Sequence, residues 1–258
     1  MKRRESAGVC RAVSSFPVHA SPRHGDKRVA RGRGVIYGSA MSRPVYGWLG
    51  PLAALVVLLW GGSTEGAYVA PRRSLKQVAH AIDISRPSTA EGKRQALARL
   101  VIDVAKAHNF DPLSAWAIID HESGWNPKAI SADGQDIGLA QIRYTVQRPC
   151  VEDRDSEACA KAKERLLDPA TNIRTMAGAI TAWRKLCTEK MGKAPNMRDW
   201  LAGYGGYSRP SDDIYCGHKR VRRGKGYVWK RLPTPKGVQE ILDARRRMIR
   251  RLRKDGVR

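Results

Sequence analysis

Glu122 ends the apolar run in "IIDHESGWNP" (Ile118–Pro127) and is followed at once by Ser123 and Gly124. On a helix, residues three, four and seven positions back share a face. Glu122 therefore continues the stripe made by Ile119, Ile118 and Ala115. It also falls in the last helical turn, where the backbone presents its negative end. Burial and that dipole both disfavour the carboxylate and raise its pKa. A carboxylic acid that keeps its proton near neutral pH is what glycosidic cleavage needs to protonate a leaving oxygen. The same pattern also fits an exposed glutamate or one paired with an arginine, because structural ion pairs perturb carboxyls too.

The elements that must hold this carboxyl read as helices. In "FDPLSAWAIIDHESG", Asp111 suits the N-cap, Pro112 the first turn and Gly124 the position past the end. Before it, "SLKQVAHAIDI" (74–84) puts Leu75, Val78, Ala79 and Ile82 on one face. In "RPSTAEGKRQALARLVIDVAKAHN", Ser88 and Glu91 have the spacing of a capping box ahead of the stripe Leu97, Leu100, Val101, Val104 and Ala105. Residues 126–142 read as a loop, and a polar stretch holds Cys150 and Cys159. "DPATNIRTMAGAITAWRKLC" is helical, with Ile173, Met176, Ala177, Ile180 and Trp183 inward, and Asn196 suits the cap of "MRDWLAGY". Residues 205–235 read as a Gly-, Tyr- and Arg-rich loop with room for a short hairpin, and 236–254 as a last, strongly basic helix. No strand alternation is convincing, so the fold class is mainly α.

Several pieces then occur in order. Glu122–Ser123 in "HESGWNPKAIS" is followed by Gly138–Leu139–Ala140–Gln141–Ile142. Next come "DPATNIRTMAG", with Asn172, Ile173 and Gly178, and "LAGYGGY", with Tyr204. "GYVWKRL", with Tyr227, follows. Across roughly residues 97–232 the chain resembles the soluble lytic transglycosylases of lysozyme-like type, a superfamily that includes goose-type lysozymes. The resemblance implies a lysozyme-like helical domain with a substrate groove, spanning residues 68–258 with the basic C-terminal helix. It implies that Glu122 acts as acid and then base, and that Ser123 orients a sugar or the carboxyl. It further implies that Gln141 hydrogen-bonds the glycan, that Tyr204 holds Glu122 through its hydroxyl, and that Tyr227 lies on the same wall. The implied substrate is the β-1,4 bond between N-acetylmuramic acid and N-acetylglucosamine in peptidoglycan glycan strands. The implied product carries a 1,6-anhydro ring, made with help from the substrate's acetamido group and with neither metal nor organic cofactor. Gly205 stands where the family has Asn, and the loop "SADGQDIGLAQI" differs in length from the shorter family form.

Other residues have competing readings. Trp125 and Tyr144 suit sugar platforms or plain packing. Asp133 or Asp136, if set across a water from Glu122, would allow inverting hydrolysis by a lysozyme-type muramidase, although loop aspartates commonly form turns. His121 projects from another side of the helix and reads as structural. A fold kept only as a non-catalytic wall- or polyanion-binding module is the alternative from a different class.

Composition bounds the partners. The chain of 258 residues has 48 Lys+Arg against 24 Asp+Glu, a formal charge of +24. Such a balance favours polyanions; anionic wall polymers are the expected class, with no specific nucleic-acid signal. "WLGPLAALVVLLW" (Trp48–Trp60) is uncharged over 13 residues, shorter than the roughly 20 a spanning helix needs and right for a signal-peptide core. Residues 41–67, starting at Met41, are expected to be that signal and the sole membrane-directed segment. Residues 1–40 are expected to be a non-native upstream extension or disordered. The expected location is the periplasm or cell envelope. Beyond Cys10, the four cysteines allow three pairings; Cys150–Cys159 and Cys187–Cys216 are favoured because the first closes a short loop.

Overall fold

The computed structural model describes residues 70–205 and 212–258. The expected extension over 1–40 and signal over 41–67 lie outside them.

Eight α-helices are described. α1 is Leu75–Ser85, α2 Glu91–Ala107 and α3 Pro112–Ser123; α4 is Arg148–Glu152 and α5 Glu157–Arg165; α6 is Pro169–Met191, α7 Met197–Tyr204 and α8 Lys236–Lys254. Strands β1 (Asp136–Ile137) and β2 (Ile142–Arg143) form a small antiparallel pair. β3 (Ile214–Tyr215), β4 (His218–Arg223) and β5 (Gly226–Arg231) form an antiparallel sheet in that order. The mainly α expectation holds, while residues 214–231 are a sheet rather than a loop. Period-two alternation is hidden there because nearly every β4 and β5 side chain beyond His218 is polar or exposed. The polar stretch with Cys150 and Cys159 is likewise two short helices, and both favoured disulfides form.

α3 is the central element. Every residue from Pro112 to Ile119 is buried, so this helix is apolar all round rather than amphipathic. It packs against α8, α2 and α1, while α6 packs against α2 and α7. Its ends carry the expected signals: Asp111 accepts from Leu113 N–H at 3.1 Å, and Gly124 takes φ 56° just past the end. Ser74 and Gln77 form a reciprocal capping box on α1, as Asn196 and Asp199 do on α7. α2 differs from expectation. It starts at Glu91 with Ala90 at the cap and no side-chain cap, because a turn closed by Thr89 N–H to Arg86 O occupies the Ser88 region.

Asp111 does more than cap. Fully buried, it takes a fork from Arg73 (Nε to Oδ1 3.0 Å, Nη2 to Oδ2 3.2 Å) and a further bond from Arg245 of α8. Burial pushes its carboxyl up, and the two guanidiniums override that and hold it below the usual carboxylate range. α1 also meets the last residues of the chain: Gln77 Nε2 donates to Val257 O at 3.3 Å, and His80 Nε2 meets Asp255 Oδ2 at 2.9 Å. Asp111→Asn leaves two guanidiniums without a counter-charge and is expected to destabilise the protein by about 3–5 kcal/mol, read by denaturant unfolding at pH 7. Asp111's share of stability is present above its unfolded value and disappears as pH falls through its lowered folded value. The gap between wild type and variant should therefore narrow in acid.

Candidate active site

Glu122 sits in the last turn of α3, half-buried. Among the described residues no cation pairs with it. Its surroundings withdraw water from most of the carboxyl, and the negative charge of Asp136 lies close by. Burial first, and Asp136 second, push its pKa up to about 8. A half-buried acid of that strength is protonated at neutral pH and still reachable.

Facing this helix end is the turn Gly138–Gln141 between β1 and β2. Gly138 has φ 76°, and a Cβ there would stand 2.4 Å from both Asn172 Nδ2 and Leu166 O, so only glycine fits. Asn172, buried in the first turns of α6, clamps the turn with its whole amide. Oδ1 accepts from Ala140 N–H at 2.8 Å, and Nδ2 donates to Ile137 O and Leu166 O, each at 2.8 Å. Gln141 takes φ 47°, and its Nε2 donates to Gly138 O at 2.9 Å and Ala129 O at 3.2 Å. Its amide NH₂ thus holds the turn together rather than standing ready for a glycan.

Tyr204 reaches the same place from α7. Gly203 brings α7 tight onto α6, since a Cβ there would lie 2.4 Å from the Trp183 ring. The Tyr204 hydroxyl is buried and donates to Ala140 O at 3.3 Å. Burial raises its pKa well above the ordinary phenol, and the neighbouring Glu122 charge adds to that. A phenol has one hydrogen. With that hydrogen on Ala140 O, the oxygen of Tyr204 keeps only acceptor capacity toward the neighbouring Glu122 carboxyl. Ser123 donates to Ile119 O at 3.3 Å, four residues back on its own helix.

Asp136 and Arg143 face each other across the β1–β2 pair and form a two-bond fork, Nε to Oδ1 and Nη2 to Oδ2 at 2.9 Å each. Asp133 is exposed and shapes its own turn through Ser131 Oγ and Gln135 N–H. Trp125 is buried at φ 63° and is not a platform. Tyr144 is half-buried with the Lys163 ammonium 5.0 Å from its ring centre. His121 lies near Glu240 of α8, at 3.9 Å. Glu122, Gln141 and Tyr204 are thus brought to one place, with Ser123 beside Glu122. Tyr227 is 63 % exposed on β5, with the Arg220 guanidinium 4.9 Å from its ring centre.

Residues 99–206 match the family model of the transglycosylase SLT domain. The chain carries a transglycosylase SLT domain. The match runs from within α2 to just past α7, so it takes in Glu122, Gln141, Asn172 and Tyr204 and stops before the β3–β5 sheet and Tyr227. No curated protein and no solved structure matches the chain. The SLT domain accounts for the lysozyme-like helical fold, and it implies peptidoglycan lytic transglycosylase activity in general.

Asn172 stands in one of the sequence motifs, yet its spacing alone assigns it no role in the site. A signal is present all the same: an amide four residues before Met176 in an apolar helical stripe has to find backbone partners. The Asp136–Arg143 fork has no such signal, because it depends on the strand register. In the SLT domain, Asn172→Ala strands one N–H and leaves two carbonyls short of a donor. It is expected to destabilise by roughly 2–4 kcal/mol and to loosen the turn, read as faster amide exchange at Ala140. A second prediction concerns Glu122. Its folded value, about 8, lies above the ordinary 4.5, so the native protein keeps a proton that the unfolded chain releases between those pH values. Stability should fall as pH rises through that window and level off above it. Glu122→Gln should remove the slope, matching wild type near pH 4 in thermal unfolding. Near pH 9 it should exceed wild type by a few kcal/mol, at roughly 1.4 kcal/mol for each pH unit between the unfolded and folded values.

Proposed function

We propose that the domain cleaves the β-1,4 bond between N-acetylmuramic acid and N-acetylglucosamine in peptidoglycan, with Glu122 as its single acid and base. The observation that carries this reading is a reachable carboxyl at the end of a buried helix, with no cation partner among the described residues and a pKa pushed up to about 8. Glu122 gives its proton to the glycosidic oxygen as the bond from muramyl C1 breaks, and N-acetylglucosamine leaves with a free 4-hydroxyl. The acetamido oxygen of the muramyl residue supports the charge at C1. The Glu122 carboxylate then takes the proton of the 6-hydroxyl, whose oxygen closes on C1 to give the 1,6-anhydro ring. Each turnover returns Glu122 to its acid form.

The surrounding residues act on this acid. Tyr204 and the turn it holds keep the carboxyl poorly hydrated, and Ser123 and Gln141 border the place where the sugar binds. The glycan strand needs no specific nucleic acid or cofactor beside it. An exported protein in the periplasm or cell envelope, carrying two disulfides, is the setting that suits this substrate.

A hydrolytic reading has one observation in its favour, the nearness of Asp136 to Glu122. Both Asp136 oxygens are engaged by Arg143, so this carboxylate is poorly placed to activate a water as an inverting base. Purified wall incubated with wild type is expected to release fragments ending in anhydromuramyl groups by mass spectrometry, with activity falling as pH rises past about 8. Glu122→Gln should lose at least about a thousandfold of that activity. Reducing ends in place of anhydro ends would make the enzyme a hydrolase, and equal clearing of wall by Glu122→Gln would remove Glu122 from the chemistry.

A further inference from the structure

The β4–β5 hairpin carries seven cations between His218 and Arg231 (Lys219, Arg220, Arg222, Arg223, Lys225, Lys230 and Arg231) and no acid. All seven are exposed. Among the described residues only Arg220 of these forms an ion pair, with Asp213 at 3.1 Å. The register makes the arrangement sharper. Lys219 stands directly opposite Lys230, a like-charge pair that destabilises a sheet unless an anion joins it. Val221 stands opposite Val228 on the same face, with Arg223 next along. Val228 is 40 % exposed, and its neighbour Tyr227, on the other face, 63 % exposed.

Protection of a sheet edge explains cations on β5, the edge strand. It does not explain Lys219 on β4, which is paired on both sides, with Ile214 of β3 and Lys230 of β5. A linear polyphosphate-type polymer would need cations alone. A valine pair framed on its own face by two lysines and an arginine matches the boundary of a bilayer. There cations meet phosphate headgroups while apolar side chains enter the interface. We propose that this hairpin docks the protein on an anionic phospholipid surface through Lys219, Arg223, Lys225 and Lys230 around the Val221–Val228 pair. The hairpin lies beyond the residues matched to the SLT domain, so this docking stands apart from the Glu122 chemistry.

The test is co-sedimentation of the full chain with phosphatidylcholine vesicles with and without phosphatidylglycerol, at low and high salt. The amino-terminal apolar block and its cations are common to every variant and cancel in the comparison. The combined Lys219→Gln, Arg223→Gln, Lys225→Gln, Lys230→Gln variant should lose on the order of a hundredfold or more in binding to anionic vesicles, since each cation near such a surface is worth roughly fivefold. Val228→Ser should lose about three- to tenfold. On neutral vesicles wild type and the charge variant should bind alike. Unchanged circular dichroism confirms that the exposed substitutions leave the fold intact. Equal binding of wild type and the charge variant to anionic vesicles overturns the proposal. So does capture of wild type by soluble polyphosphate as tight as by vesicles with Val228→Ser silent, which assigns the hairpin to a polymer. Neither outcome bears on Glu122, whose test is the release of wall fragments.

Discussion

One buried helix carries an acidic group at each end, and the two ends solve the problem of a carboxyl out of water in opposite ways. At the start of α3, Asp111 is fully buried and ionised, because the helix dipole, two guanidiniums and a backbone N–H favour the anion. At the far end, Glu122 meets the negative pole of the same helix and the charge of Asp136, with no described cation to offset them. It keeps its proton instead. The first arrangement gathers the segment before α1 and the C-terminal helix around α3. The second leaves a proton poised where that packing opens to solvent.

The site is therefore a consequence of rigidity rather than of a cluster of reactive groups. Most polar side chains around Glu122 are engaged with backbone. Asn172 grips three main-chain atoms, Gln141 holds two carbonyls and Tyr204 a third. A turn with positive φ at Gly138 and Gln141 is strained or entropically costly, and these bonds hold it in place. The result is a wall whose amide and phenol donors are already spent on backbone carbonyls, which limits the hydration of the acid. An unpaired buried amide at any of these positions would admit water and let Glu122 ionise.

The hairpin obeys a different logic. β4 and β5 carry seven exposed cations within fourteen residues, and among the described residues only Arg220 of them has an ion-pair partner. Packing does not require that excess, which is why a surface of opposite sign accounts for it better than the fold does.

Much of this was legible in sequence where the signal is local. Asp111, Pro112 and Gly124 mark the limits of α3 through capping chemistry that needs only neighbours. The apolar stripe predicts that Glu122 leaves water. The spacing of the cysteines favours the two disulfides that form. Ser88 shows the limit of such rules: the right pair of residue types was overruled by a turn two residues wide. What tertiary structure alone decided are the partners that lie far apart in the chain. These are Arg73 and Arg245 on Asp111, Asn172 under Gly138, Tyr204 on Ala140 and the facing of Asp136 with Arg143. The reason is physical. A helix cap or a stripe follows from bond geometry within a few residues, but which distant side chain satisfies a buried polar group depends on how whole elements pack, and that is settled only when the core closes.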